Sequence, residues 1–461
     1  MKTLFRNGIL ITKDRNDNVI NPGWLIINNN IIEELGYGDY STHNFVKNSF
    51  DKIVDLEGKI MLPELINSHT HFSQSLLKVF SENMTLQDWL EKLIRPFQNN
   101  ITTEQMKLAS QLSIAENLRC GITTVVQHQK LYKREYFNVS LETANEYGIR
   151  MALMLGCNDK VADYYNGLNK FIDYVLRIKD MWNNNYFSIG FGPTSLKNCS
   201  KEFLLAITDI SVENKMPVHI HIAETMSERN ESIYKNGTPP IRWLYNIGVL
   251  NENTQLVHCI WVDGNEINLI KNSCSHVIHC PINNLFLNSG YANIDAMLNC
   301  GIPVVIGTDG SALGVSQDIF SNLKLLSLLV SSSRKKPKSF SASYSLYMAT
   351  SWAAKMLGRD DLGQLVIGGK ADIIIINSNS LKSQPIFDPQ VTVVYNTSYN
   401  DIQMVMVDGN IILENGKFNN IDENSLALKS KNFSDQIFNI YSQLSENKNA
   451  HKNREEIETL S

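Results

Sequence analysis

Between about residue 61 and residue 310, short runs of β-branched and apolar residues alternate with longer stretches in which apolar residues recur every three or four positions. The first pattern belongs to strands buried on both faces and the second to helices with one apolar face. Their alternation predicts βα units around a parallel sheet. Eight predicted strands end near His71 (MLPELINSHTH), His128 (ITTVVQH), Gly156 (RMALMLG), Thr194 (FSIGFGPT), Glu224 (PVHIHIAE), Cys259 (TQLVHC), Cys280 (HVIHC) and Asp309 (IPVVIGTD). Helical periodicity is clearest over Thr103 to Arg119 and Lys201 to Asn214. Eight such units predict an α/β fold, a (β/α)8 TIM-like barrel over residues 61–362.

The flanks carry a different pattern. Residues 1–60 hold short alternating strands with turn signals at Asn7-Gly8, Pro22-Gly23 and Glu57-Gly58, and similar sequence returns after Gly363 as LVIGGKADIIIIN and QMVMVDGNIILENGKF. The two ends, 1–60 and 363–430, are predicted to pair into one small β-sandwich module. Residues 431–461 are polar and charged and predict a C-terminal helix and tail without chemistry.

Composition narrows the partners. A formal net charge of -5 offers no overall basic surface for a nucleic-acid backbone, so a small, uncharged or weakly charged substrate is expected and nucleic acid is not. The seven cysteines (Cys120, Cys157, Cys199, Cys259, Cys274, Cys280, Cys300) form no CxxC pair and no even framework, which points to a reducing compartment rather than a disulfide scaffold. The opening MKTLFRNGILITKDRND has too short an apolar run for a signal sequence, and no segment offers about 18 uninterrupted apolar residues. A cytoplasmic protein with no membrane partner is expected.

Ten histidines remain to be placed, and they converge. His69 and His71 stand two apart at the end of the first predicted strand, a spacing that puts both imidazoles on one face. His219 and His221 repeat it on the fifth strand; His258, His279 and Asp309 end the sixth, seventh and eighth. In such a barrel the C-terminal ends of the strands are where catalytic groups gather, and several imidazoles with a carboxylate are the ingredients of a metal site. One HxH alone is commonly chance; the same register at five strand ends is hard to produce by packing. Competing signatures are absent: no HExxH, no HxE with PCxxC, no GxxxxGK[ST].

The phrases LINSHTHFSQSLLK, TLQDWLEKLIRP, GITTVV, HIHIAET, LVHC, HCPINN, VVIGTDG and LGQLVIGGKADIII, in this order over nearly the whole chain, resemble the amidohydrolase superfamily. The similarity is to the branch of cytosine deaminase, S-adenosylhomocysteine/methylthioadenosine deaminase and triazine hydrolases such as atrazine chlorohydrolase. It implies His69, His71, His221 and Asp309 as ligands of a divalent ion, Glu224 as proton-shuttling acid, and His258 as the histidine that polarises water or substrate. A divalent ion lowers the pKa of its water toward about 7, Asp309 can accept the proton, and Glu224 can pass one to a ring nitrogen and to the leaving group. Two-metal relatives bridge their ions through a lysine on the fourth strand; FSIGFGPTS has none, so one ion is implied. Histidine-rich ligation favours zinc, with iron or manganese as alternatives.

The same resemblance weakens at substrate-facing positions. Gln98 stands where adenosine-type deaminases carry a glutamate for the ribose hydroxyls, Thr194 where they carry a histidine for the purine, and Glu64 where the first-strand phrase has glycine. Trp89, Gln98, Thr194, His279 and Ser311 are the candidate substrate-binding residues, with Phe97 also considered. For Trp89 core packing competes, His219 is expected to support the site, and His128 either touches substrate or packs in the core. The implied activity is hydrolytic deamination of an amino-substituted heterocycle: purine, pterin, pyrimidine or triazine. Loss of an alkylamine or halide from such a ring is the alternative. A silent binding or assembly relative is a third reading, opposed by the complete set of ligands and acid. The resemblance also implies a homodimer or higher homo-oligomer.

Overall fold

The computed structural model describes residues 1–40, 50–78, 84–130, 134–182, 184–313, 316–334 and 340–434. Residues 1–420 form one compact unit and 421–461 a second. Within the second, residues 423–434 are helical, and the remainder of the predicted tail, 435–461, lies outside the described residues.

The eight predicted barrel strands are β1 (Leu65–His71), β2 (Ile122–Lys130), β3 (Arg150–Cys157), β4 (Phe187–Pro193), β5 (Val218–Ile222), β6 (Thr254–His258), β7 (His276–His279) and β8, which is split into Val304–Ile306 and Asp309–Gly310. They run parallel in chain order, each pairing with the next. The second segment of β8 pairs back with β1, Asp309 opposite Thr70 and Gly310 opposite His71, so the ring closes. The break in β8 has a steric cause. A Cβ on Gly307 would lie 2.7 Å from His69 Cβ, so the chain passes His69 as bare backbone, and the Asn67 side chain accepts the Thr308 N–H at 3.0 Å.

The helices follow their predicted bounds where periodicity and caps agree. Thr103–Arg119 starts from a capping box of Thr102 and Gln105, and Lys201–Asn214 from a Ser200 cap on the Phe203 N–H. The barrel interior is filled near its N-terminal end by Ile66, Val126, Ala152, Met154, Val257, Ile278 and Val305, closed by Ala353 and Ala354. Apolar burial of this kind contributes roughly 25 cal/mol per Å².

Among the described residues both chain ends build a second sheet of nine strands, separate from the barrel sheet. Ile373–Asn377 pairs antiparallel with Lys59–Pro63, from Ile373 opposite Pro63 to Asn377 opposite Lys59, and Lys59–Pro63 lies parallel to Lys2–Ile11. Phe5, Leu25, Ile27, Met61, Ile373, Ile375 and Met406, drawn from both ends, share one core. Of the three predicted turns, only Glu57-Gly58 is one. Gly8 lies inside Lys2–Ile11 at a register shift, where its missing Cβ makes room for Leu56, and Gly23 lies inside Val19–Asn28. A bulge and a turn ask for the same glycine, so the dipeptide alone does not separate them.

Candidate metal and catalytic site

Strand alternation supplies only part of the site. On β1 the ladder to β2 slips by one residue between Asn67 and Thr70. Ile66, an even position, packs in the barrel interior while His69 and His71, odd positions, face the same axis beyond the slip. On β6, Val257 packs inward, so His258 would by alternation point away. Its φ of +77° turns it back. Ala223 (φ +52°) does the same for Glu224, and Asp309 itself has φ +60°. Non-glycine residues adopt this region rarely, at a cost of about 1–2 kcal/mol.

Hydrogen bonds then fix which ring nitrogens carry protons. His219 Nδ1 donates to Gln255 Oε1 at 2.8 Å, so its Nε2 accepts from His69 Nδ1, also at 2.8 Å. His69 Nε2 is thereby left as a buried lone pair with no hydrogen-bond partner. His71 Nδ1 donates to the His128 carbonyl at 2.8 Å, which leaves its Nε2 as a lone pair too. These two lone pairs lie 3.6 and 3.3 Å from one carboxylate oxygen, Asp309 Oδ1, and His221 Nε2 lies 3.3 Å from His71 Nε2.

Acceptors so arranged repel one another unless a cation lies among them. Ligands on tetrahedral bonds of about 2.0–2.2 Å are separated by about 3.4 Å, which matches these spacings. His69, His71 and His221 form one group able to hold a metal ion, and His69, His258 and Asp309 an overlapping one. Burial, together with neighbouring imidazoles, pushes His69 and His221 well below the usual histidine range and lowers His71, so all three favour the neutral form that metals bind. Burial raises the Asp309 carboxyl, but His71, His258 and His221 more than offset it and hold it below its ordinary value.

His258 differs from the other three. Its Nδ1 accepts from Asn284 Nδ2 at 3.0 Å, so its Nε2 carries the proton and points to Glu224 Oε2, 3.6 Å away. Burial, with the Asp309 charge, pushes Glu224 up to about 8, and its Oε1 accepts from Ser289 Oγ at 3.3 Å. A carboxyl that keeps its proton at neutral pH thus stands beside a ring N–H and next to the histidine and aspartate cluster.

His71, His128, His221, Glu224, His258 and Asp309 line a cavity of about 800 Å³ at the C-terminal end of the barrel. Trp89, Gln98 and Thr194 line it as well. Gln98 Nε2 donates to Ser73 Oγ at 3.0 Å, and Trp89 is 4% exposed, so it both packs and faces the cavity. His279 and Ser311 do not line it. The Ser311 hydroxyl accepts from Gln317 Nε2, whose amide oxygen in turn takes Thr308, Thr70 and Asn67 and so holds the second segment of β8. His279 is buried at the end of β7, outside the cavity lining. Phe97 is buried, and Glu64 points to the opposite end of the barrel, where it accepts the Gly363 N–H.

Sequence reasoning passed over Gln255, Asn284, Ser289, Gln317 and Glu228, all of which hold the site. Asn284 belongs to the quoted phrase HCPINN and Glu228 to a helix-start pattern. The other three carry no local signal.

A parallel barrel whose mouth holds convergent imidazoles, an aspartate and a buried acid defines the class of metal-dependent hydrolases. Residues 60–412 match the amidohydrolase family, and the chain belongs to it. It is therefore a hydrolase that acts on carbon–nitrogen bonds other than peptide bonds. A 5-methylthioadenosine/S-adenosylhomocysteine deaminase of Acetivibrio thermocellus is 29% identical over 441 residues, 95% of this chain and 100% of the relative. A 5'-deoxyadenosine deaminase of Methanobrevibacter smithii is 30% identical over 417 residues, 89% of this chain and 92% of the relative. Among solved structures, an adenosine deaminase from Xanthomonas campestris with bound zinc superposes with a TM-score of 0.88 at 23% identity, covering 95% of this chain and 98% of the other. Atrazine chlorohydrolase from Arthrobacter aurescens, complexed with zinc, gives 0.85 at 22% identity, covering 94% and 100%. No helix among the described residues is long and apolar enough to cross a membrane.

Proposed function

We propose that the chain is a zinc-dependent aminohydrolase that removes an amino group from a nitrogen heterocycle of the adenine type. One observation carries the reading: the His69 and His71 lone pairs, the His221 ring and the Asp309 carboxylate meet beside a carboxyl group, Glu224, that burial holds protonated. His69, His71, His221 and Asp309 would hold the ion. When bound, it supplies Lewis acidity, lowering the pKa of a coordinated water toward about 7.

The remaining steps fall to the side chains. Glu224 delivers its proton to a ring nitrogen, which makes the adjacent carbon electrophilic; Asp309 takes a proton from the attacking water and passes it to the departing amine, and the hydroxyl of the tetrahedral centre reprotonates Glu224 as it collapses to the carbonyl. His258, with its N–H toward Glu224, orients the attacking oxygen or the developing tetrahedral centre. Trp89, Gln98 and Thr194 bound the space for the ring and its substituent. The relatives named as deaminases of methylthioadenosine, S-adenosylhomocysteine and 5'-deoxyadenosine support this substrate class.

A panel of adenine nucleosides, pterins, cytosine and aminotriazines, incubated with zinc-, iron- and manganese-loaded protein and scored for ammonia and ring absorbance, tests it. Ammonia from at least one adenine-type substrate is the expected result. Alkylamine or chloride in its place would move the assignment to displacement of those groups, and no product from any compound would overturn the catalytic reading.

A further inference from the structure

The helix Met226–Asn236 opens with Thr225-Met226-Ser227-Glu228, the pattern in which the glutamate folds back onto the N–H of the capping residue. Only half of that box forms. Thr225 accepts the Glu228 N–H at 3.1 Å, as a cap should. The Glu228 carboxylate, however, reaches past Thr225 and takes the Glu224 N–H on Oε2 at 2.9 Å.

That bond closes the turn in which Ala223, at φ +52°, swings Glu224 out of strand alternation and into the cavity. The Ala223 carbonyl is fixed from the other side by the Ile260 and Trp261 N–H groups, at 3.0 and 2.9 Å. Holding the turn has a cost. Glu228 lines the cavity half-buried, burial pushes it up to about 7, and its Oε1 has no hydrogen-bond partner among the described residues. A solvent-facing cap would serve the helix equally well without that burial.

We propose that Glu228 is a positioning residue of the reaction: its carboxylate oxygen holds the strained Ala223–Glu224 turn and so keeps the Glu224 carboxyl against His258 and Ser289. The role of Glu224 rests on the deaminase reading, whereas the hold on the turn does not. Two variants, Glu228→Ala and Glu228→Gln, separate the possibilities, because the glutamine amide oxygen can still accept the Glu224 N–H without the charge.

Hydrogen–deuterium exchange of the peptide covering residues 222–229 is measured first and needs no substrate. Glu228→Ala is expected to speed exchange at the Glu224 amide roughly tenfold or more, and Glu228→Gln to remain near wild type. In steady-state kinetics Glu228→Ala is expected to lose about 10²-fold in kcat with KM and metal content nearly unchanged, and Glu228→Gln to recover most of that loss. Unchanged exchange in Glu228→Ala overturns the proposal. So does a Glu228→Gln enzyme as impaired as Glu228→Ala, or a loss that falls on KM, either of which would place Glu228 on the substrate instead. If wild-type protein releases ammonia from no heterocycle, the deaminase reading fails while the exchange data still decide whether Glu228 holds the turn.

Discussion

The two ends of the barrel each bury a cluster of ionisable groups, and they treat them in opposite ways. At the N-terminal end Arg150 grips Asp372 with two parallel bonds, Nε to Oδ2 at 2.8 Å and Nη2 to Oδ1 at 2.9 Å, and reaches Asp408 at 3.0 Å. Lys370 lies 3.2 Å from the same Asp408 oxygen, and the Tyr186 hydroxyl donates to the other at 3.1 Å. No side-chain atom of these groups is left buried and unpartnered. At the C-terminal end His69 Nε2, His221 Nδ1 and Glu228 Oε1 have no hydrogen-bond partner among the described residues.

Burial and charge alone therefore do not mark function, since both clusters have them. The mark is incompleteness: buried polar atoms that no described residue partners. The complete cluster ties the barrel to the sheet built from the chain ends. On the proposed function, the incomplete one is completed by an ion and a substrate.

That contrast can be broken by substitution. Glu224→Gln should cut turnover by about 10²–10⁴-fold while the protein retains its metal and its unfolding midpoint; near-normal kcat would remove Glu224 from the chemistry. Arg150→Met should do the reverse. It strands Asp372 in the interior and should lower stability by about 3–5 kcal/mol in urea titration, with kcat per folded molecule unchanged. A fall in kcat there without a fall in stability would show that the two ends are not separate in function.

Gln255→Leu probes the support beneath the lone pairs, because without the Gln255 oxygen His219 is free to change tautomer and no longer fixes His69. Metal affinity, measured by chelator competition, should drop roughly tenfold, and an unchanged affinity would sever that relay from the site. The smallest effect is expected at a position in neither cluster. Thr102→Ala removes one helix cap and should cost about 1 kcal/mol of stability with no change in metal content or turnover.

Much of the molecule was open to sequence reasoning because its signals are local. Eight apolar runs separated by amphipathic stretches give the barrel, the capping residues Thr102 and Ser200 set helix starts, and HxH spacing puts His69 with His71 and His219 with His221. Alternation of side chains with period two needs no tertiary information. It fails where the backbone leaves the strand. The slip between Asn67 and Thr70, the split of β8 at Gly307 and the positive φ of Ala223, His258 and Asp309 belong to the folded barrel and carry no local sequence signal. Sequence spacing therefore could not show that Glu224, His258 and Asp309 would turn to face the same point.

The amino-acid sequence by itself determined the periodicity, the caps and the supply of imidazoles and carboxylates at strand ends. Only the tertiary structure decided which nitrogens carry protons, which residues line the cavity, and that Glu228 leaves its cap for the turn beside Glu224. The physical reason is range. Propensity and spacing act within a few residues, whereas a lone pair's direction and a buried acid's proton depend on groups as far apart along the chain as His71 and Asp309.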